Sequence, residues 1–216
     1  MLIGLAVVAA VGASADDRSE ASGGATPGDA STELETPELS PSLDDGASGS
    51  GDQGVSDEEV IVIIPSFASA SRSAPSVTGP GGESLTYGPE LAIDGRNDTA
   101  WCNEGDGSGE YLRLDLPEAV TIVGVGIFPG YDKVDQTTGE DRFEENRKIV
   151  EVTYSFPSAS PQSFSLNEPL RDLKVSVLDP PVEASFVQIE PTATSAPGQR
   201  DYTCISETSV FGYEGG

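Results

Sequence analysis

The chain has 216 residues, 37 of them Asp or Glu and 11 Lys or Arg, for a formal charge of −26. So acidic a balance excludes nucleic acid as a partner, because phosphate binding needs a Lys/Arg surface, and it argues against docking on anionic lipid through charge. Histidine is absent and there are only two cysteines, which removes Ser-His-Asp and Cys-His catalysis and zinc sites built on imidazole or four thiolates, while leaving oxygen-ligated cations such as calcium open.

Met1 to Ala15 reads MLIGLAVVAAVGASA. An apolar run followed by Ala13-Ser14-Ala15 matches a secretory signal peptide with a small-residue cleavage site. The basic n-region is missing, and the run falls short of the roughly 20 residues a spanning helix needs. Residues 1–15 are therefore read as a signal peptide or the remnant of a membrane anchor, a possible tether through the N-terminus. Either reading places the rest outside the cytoplasm, secreted or membrane-anchored, where a disulfide between Cys102 and Cys204 is permitted. The alternative is two separate buried thiols.

Residues 16–59 contain Ser, Gly, Pro, Thr and Ala, 13 acidic residues, Arg18 as the single basic one, and no aromatic residue. Such a segment buries too little apolar surface to offset chain entropy, and it is expected to be a disordered, self-repelling acidic linker.

Residues 60–216 hold every aromatic residue of the chain and make one domain with room for a core. Val60–Ile64 is a β-prone run, either a first strand or a hydrophobic staple. Glu110–Leu116 alternates, with Leu112, Leu114 and Leu116 on one face. In Ala119–Phe128, Val123, Val125 and Ile127 form a face, and Lys148–Phe156 alternates through Val150, Val152, Tyr154 and Phe156. Further strands are expected at Gln162–Leu166, Leu173–Leu178, Ser185–Glu190 and Ile205–Tyr213, with prolines in the gaps. No amphipathic helix longer than a turn or two is visible. The pattern predicts an all-β domain, an antiparallel β-sandwich or jelly roll, preceded by a disordered acidic segment.

Leu91-Ala92-Ile93-Asp94-Gly95 followed by Thr99-Ala100-Trp101 resembles the A-x-D-G-x-x-x-T-x-W signature of discoidin, or coagulation factor five/eight type C, domains. Gly109–Leu116 is similar to the strand that follows the signature there, and Ile205-Ser206-Glu207 with Phe211-Gly212 to the closing strand. Gly130-Tyr131-Asp132-Lys133 and Phe143–Lys148 are similar to a bacterial branch, the translocation domain attached to NAD glycohydrolase. The resemblance covers roughly residues 66–216. It implies a galactose-binding-like jelly roll and non-catalytic binding of an extracellular carbohydrate. A protein-binding or adhesion module at the cell envelope is the alternative, and a purely structural envelope domain a third. The expected partner is a glycan or cell-surface ligand, and the expected state a monomer.

Two sites follow. Asp94, Asn97, Asp98, Thr99 and Glu207 offer oxygen ligands to a structural calcium, as related domains often hold one. The competing reading is an Asx turn with Gly95 at positive φ. Tyr131, Lys133, Arg142, Asn146 and Arg147 are the ligand-binding candidates. Basic residues are scarce yet cluster around the loop from Asp132 to Asn146, and long loops at the end of a sandwich carry function. The competing reading there is a salt-bridged, solvated loop. Trp101 is assigned to the core, packed on the neighbouring disulfide, rather than to a sugar platform. Paired carboxylates for glycoside hydrolysis exist by number alone, and no catalytic residue is assigned. Asn97-Asp98-Thr99 also matches a glycosylation acceptor, read as chance.

Overall fold

The computed structural model describes residues 59–213 apart from Pro80 and Pro169. The leader at 1–15 and nearly all of the linker at 16–59 lie outside the described residues. The Val60–Ile64 run forms a strand, β1 (Ile61–Ile63), with Ile63 buried and Val62 exposed. There follow β2 (Phe67–Ala70), a short hairpin of β3 (Val77–Thr78) and β4 (Ser84–Leu85), a 3-10 turn (Pro89–Ala92) and β5 (Trp101–Glu104).

β6 (Leu112–Ile127) joins two strands that Pro117 seemed to separate. Leu112, Leu114 and Leu116 point inward as expected. Pairing with the neighbouring strand skips from Asp115 to Val120, so Pro117 sits where no ladder bond is required of it. A second shift, between Ile122 and Gly124, corrects the expected face. Ile122, Val125 and Ile127 are fully buried and Val123 is not, because a bulge reverses the alternation from that point on.

After β6 come α1, one turn at Arg142–Glu145, then β7 (Ile149–Ser155), β8 (Gln162–Ser165), β9 (Lys174–Thr194), β10 (Tyr202–Ile205) and β11 (Thr208–Tyr213). In β7 a shift near Glu151 puts Ile149, not Val150, in the core with Val152 and Tyr154. β9 unites two expected strands across Pro180-Pro181, again where pairing lapses.

The main antiparallel sheet has seven strands, ordered β1-β11-β6-β9-β7-β8, with β2 also on β6. Opposite it lies the β5–β10 ladder, with Trp101 facing Ile205 and Cys102 facing Cys204. Because side chains alternate along a strand, Trp101 and Ile205 turn into the main core with Leu112, Leu114, Ile122 and Ile189. Trp101 is fully buried and its indole N–H donates to the Arg72 carbonyl at 3.0 Å. Cys102 and Cys204 turn the other way and are joined as a disulfide. The disulfide therefore packs with Tyr131, Tyr87 and Tyr202 rather than with Trp101.

Candidate functional site

The chain leaves the sheet at the end of β6 and enters the loop singled out above. The loop is not irregular. Asp135 Oδ1 accepts the N–H groups of Thr137 and Thr138 at 2.9 and 3.1 Å. A bridge joins Val134 to Asp141, and Asp141 caps α1 by accepting the Phe143 N–H at 3.1 Å. Phe143 packs edge-on against Phe128, with Leu170 beside them. Its ring lies so close to Gly130 that a Cβ there would sit 2.6 Å from it, so only glycine lets the backbone pass.

Behind this loop is a network of charge, buried at Arg142, Asp135 and Glu145 and open to solvent at Glu140 and Arg200. Arg142, with its side chain 12% exposed, contacts Asp135 at 3.3 Å, Glu140 at 2.8 Å and Glu145 at 2.9 Å. Arg200, from the segment before β10, reaches Glu145 at 2.8 Å and Glu140 at 3.2 Å. The backbone donors at Thr137 and Thr138, and then Arg142, hold the Asp135 carboxyl below its usual range. Arg142 is thus committed to three carboxylates, and its first role is to close the loop.

The loop and the disulfide enclose a pocket of about 430 Å³, a size suited to small ligands. One wall is apolar and aromatic: Tyr87, Tyr131, Tyr202, the disulfide, and Val77 and Leu85 from the β3–β4 hairpin. Tyr87 and Tyr131 meet edge to face at 6.3 Å, and burial raises the pKa of both phenols. The other wall is polar, with Lys133, Asp135, Glu140, Arg142, Asn146 and Arg200. Asn146 is 3% exposed. Its amide N–H donates to the Arg142 carbonyl at 2.8 Å, yet its Oδ1 has no partner. A buried acceptor left unpaired costs about 1–3 kcal/mol, and this one belongs to a residue of the pocket lining.

Of the residues expected to bind ligand, Tyr131, Lys133, Arg142 and Asn146 line this one pocket. Arg147 does not. It is tied to Asp201 and to the Ser195 carbonyl at 3.0 Å, strapping the loop to the chain before β10. Tyr87, Tyr202, Arg200 and the hairpin were missed. Tyr202 had a signal, since it stands two residues before Cys204 and shares its face once β10 is a strand. The hairpin and Tyr87 come from distant sequence with no local mark.

The Asp-Gly loop forms an Asx turn. Asp94 Oδ1 accepts the Arg96 N–H at 3.0 Å, and Gly95 has φ +76°. The Thr99 hydroxyl donates to the Asp94 carboxylate, and Glu207 accepts the N–H groups of Gly95 and Thr208 at 2.8 and 3.1 Å. Burial raises the Glu207 carboxyl pKa, those N–H donors oppose the rise, and nearby Asp94 adds to it. Asp98 is turned onto the Arg96 guanidinium, and Asn97 is exposed. Calcium takes six to eight oxygens. Here the carboxylates face N–H and O–H donors, and among the described residues no three acidic or cysteine side chains gather as a metal cluster. In this arrangement the Asp94 and Glu207 carboxylates are taken up by donors of the protein.

A larger groove, about 890 Å³, lies at the Pro157–Gln162 turn beside Asp179–Ser185. Its lining has no aromatic residue and no unpartnered buried polar atom, so the pocket beside the disulfide is the stronger candidate.

No curated protein matches the sequence. Among solved structures, a truncated AlyQ with family 32 carbohydrate-binding module and alginate lyase domains superposes with a TM-score of 0.51 at 20% identity, over 73% of this chain and 35% of that one. The isolated family 32 module of AlyQ in complex with 4,5-unsaturated mannuronic acid gives 0.49 at 20% identity, over 70% of this chain and 98% of that one. The family 32 module from C. perfringens NanJ in complex with galactose gives 0.49 at 18% identity, over 71% and 99%. The F5/8 type C domain model matches residues 68–207, well over half of the sequence, and the chain belongs to that family.

Proposed function

We propose that the domain is a non-catalytic carbohydrate-binding module that holds a saccharide in the pocket between the Gly130–Lys148 loop and the disulfide. One observation carries this reading: the buried, unpartnered Asn146 Oδ1 in a pocket walled by Tyr87, Tyr131 and Tyr202. A sugar offers hydroxyl donors to such an acceptor and apolar C–H faces to the tyrosines, which combine flat area with a polar tip. Carboxylates that would do acid–base work are instead neutralised by Arg142 and Arg200, which favours holding a ligand over cleaving it. The family 32 modules with similar folds bind sugars and lend the reading support. The Cys102–Cys204 disulfide favours an oxidising, extracytoplasmic location. The finer placement in the NAD glycohydrolase translocation-type branch rests on the motifs at Gly130–Lys133 and Phe143–Lys148.

A glycan array with the full chain tests the reading. Binding to saccharides should be lost in Asn146→Ala and Tyr202→Ala while both variants keep the wild-type melting profile. Wild-type binding that both variants retain would move the site elsewhere.

A further inference from the structure

We propose that the saccharide taken by this pocket is an acidic one, bearing a carboxylate, and that Lys133 is the residue that selects it. The inference rests on the glycan reading above. Among the described residues eight Lys and Arg side chains contact a carboxylate within 4.0 Å: Arg72, Arg96, Arg113, Arg142, Arg147, Lys148, Arg171 and Arg200. Lys133 and Lys174 are the two that do not, and of these only Lys133 lines the pocket. In a chain with 37 acids and 11 bases, carboxylates are abundant and an unpaired cation beside a pocket stands out.

The placement of Lys133 fits the role. Its backbone is fixed on both sides, with its N–H donating to the Tyr131 carbonyl at 2.9 Å and its carbonyl accepting the Arg142 N–H at 2.8 Å. Its ammonium lies 5.9 Å from the centre of the Tyr131 ring, so a sugar lodged against this wall of the pocket would bring its substituents within the reach of the lysine. Along the lining, Arg142 and Arg200 are taken up by Asp135 and Glu140, which leaves Lys133 as the cation without a carboxylate partner in the pocket. Glu145 stands behind it, held by Arg142 and Arg200. Two further carboxylates share an adjoining hollow with Lys133. Of these, Asp98 is engaged by Arg96, and Glu83 is exposed to solvent. Water screens an exposed carboxylate, whereas a ligand carboxylate brought in beside Tyr131 would meet the ammonium in a drier setting.

The test titrates the full chain calorimetrically with matched oligosaccharides: galacturonic acid against galactose, glucuronic acid against glucose, mannuronic acid against mannose. In at least one pair the acid should bind about tenfold tighter, the scale of one hydrogen bond to a charged group, and the margin should shrink as salt is added. Lys133→Met should bring the acid down to the level of its neutral partner, and Lys133→Arg should keep the preference. Neutral sugars that bind as well as or better than every acid would overturn this proposal and leave the glycan reading standing. So would an acid preference that survives in Lys133→Met. Binding by none of the six would overturn both.

Discussion

Two loops near each other in this domain are both crowded with acidic side chains, and they use them in opposite ways. In the Asp94–Thr99 loop the carboxylates are exposed and answer to donors close in sequence or to backbone N–H groups. In the Gly130–Lys148 loop Asp135 and Glu145 are buried; Asp135 also uses local backbone N–H groups, but both carboxylates are met by guanidinium groups, one of them on Arg200 far along the chain. The first loop satisfies all the contacts it makes. The second leaves one buried acceptor, on Asn146, unpaired.

Removing what both loops share should have the largest effect. The disulfide follows the first loop at Cys102 and precedes Glu207 at Cys204, closing a separation of 102 residues. Replacing both cysteines by serine should cost about 3–5 kcal/mol in urea unfolding and loosen both loops; a loss well under 1 kcal/mol would mean the strand ladder alone holds them. Next comes Arg142→Ala, which takes the one guanidinium from Asp135 and one of two from Glu145 and should cost about 2 kcal/mol. Arg96→Ala, its counterpart in the exposed loop, should stay within about 0.5 kcal/mol. Equal costs from the two arginines would erase the contrast between the loops.

Acid should act in the same sense. The Asp135 carboxyl is held below its ordinary value of 3.8, so the stability it contributes is present in full above that value and is lost as pH falls through the lowered one. The urea midpoint should drop below about pH 4, and Asp135→Asn should flatten that drop. Glu207 is shifted the other way, so its protonation favours the folded state, and that contribution is lost as pH rises through its raised value. The smallest effect is expected from calcium: melting midpoints in calcium and in chelator should agree closely. A rise of several degrees in calcium would show that Asp94 and Glu207 rearrange around a cation.

The sheet was legible in the sequence wherever alternation ran unbroken, as at Leu112, Leu114 and Leu116. It was misread at Val123 and Val150, where a bulge reverses the faces and leaves no mark in a run of β-branched residues. Prolines 117, 180 and 181 looked like strand ends, because a sequence does not say which N–H groups the ladder needs. Four of five ligand candidates lay in the pocket since one loop supplies them. The tyrosine wall depends on which strands face each other, and that is decided by the core.

β1 pairs with β11 so that Ile61 lies beside Gly212, and the chain therefore enters and leaves the domain at one corner. Tension applied through those two ends would peel β1 from β11 one hydrogen bond at a time, instead of loading a whole ladder in parallel. The domain should yield at that corner under small forces, while the covalent tie between Cys102 and Cys204 keeps the pocket closed.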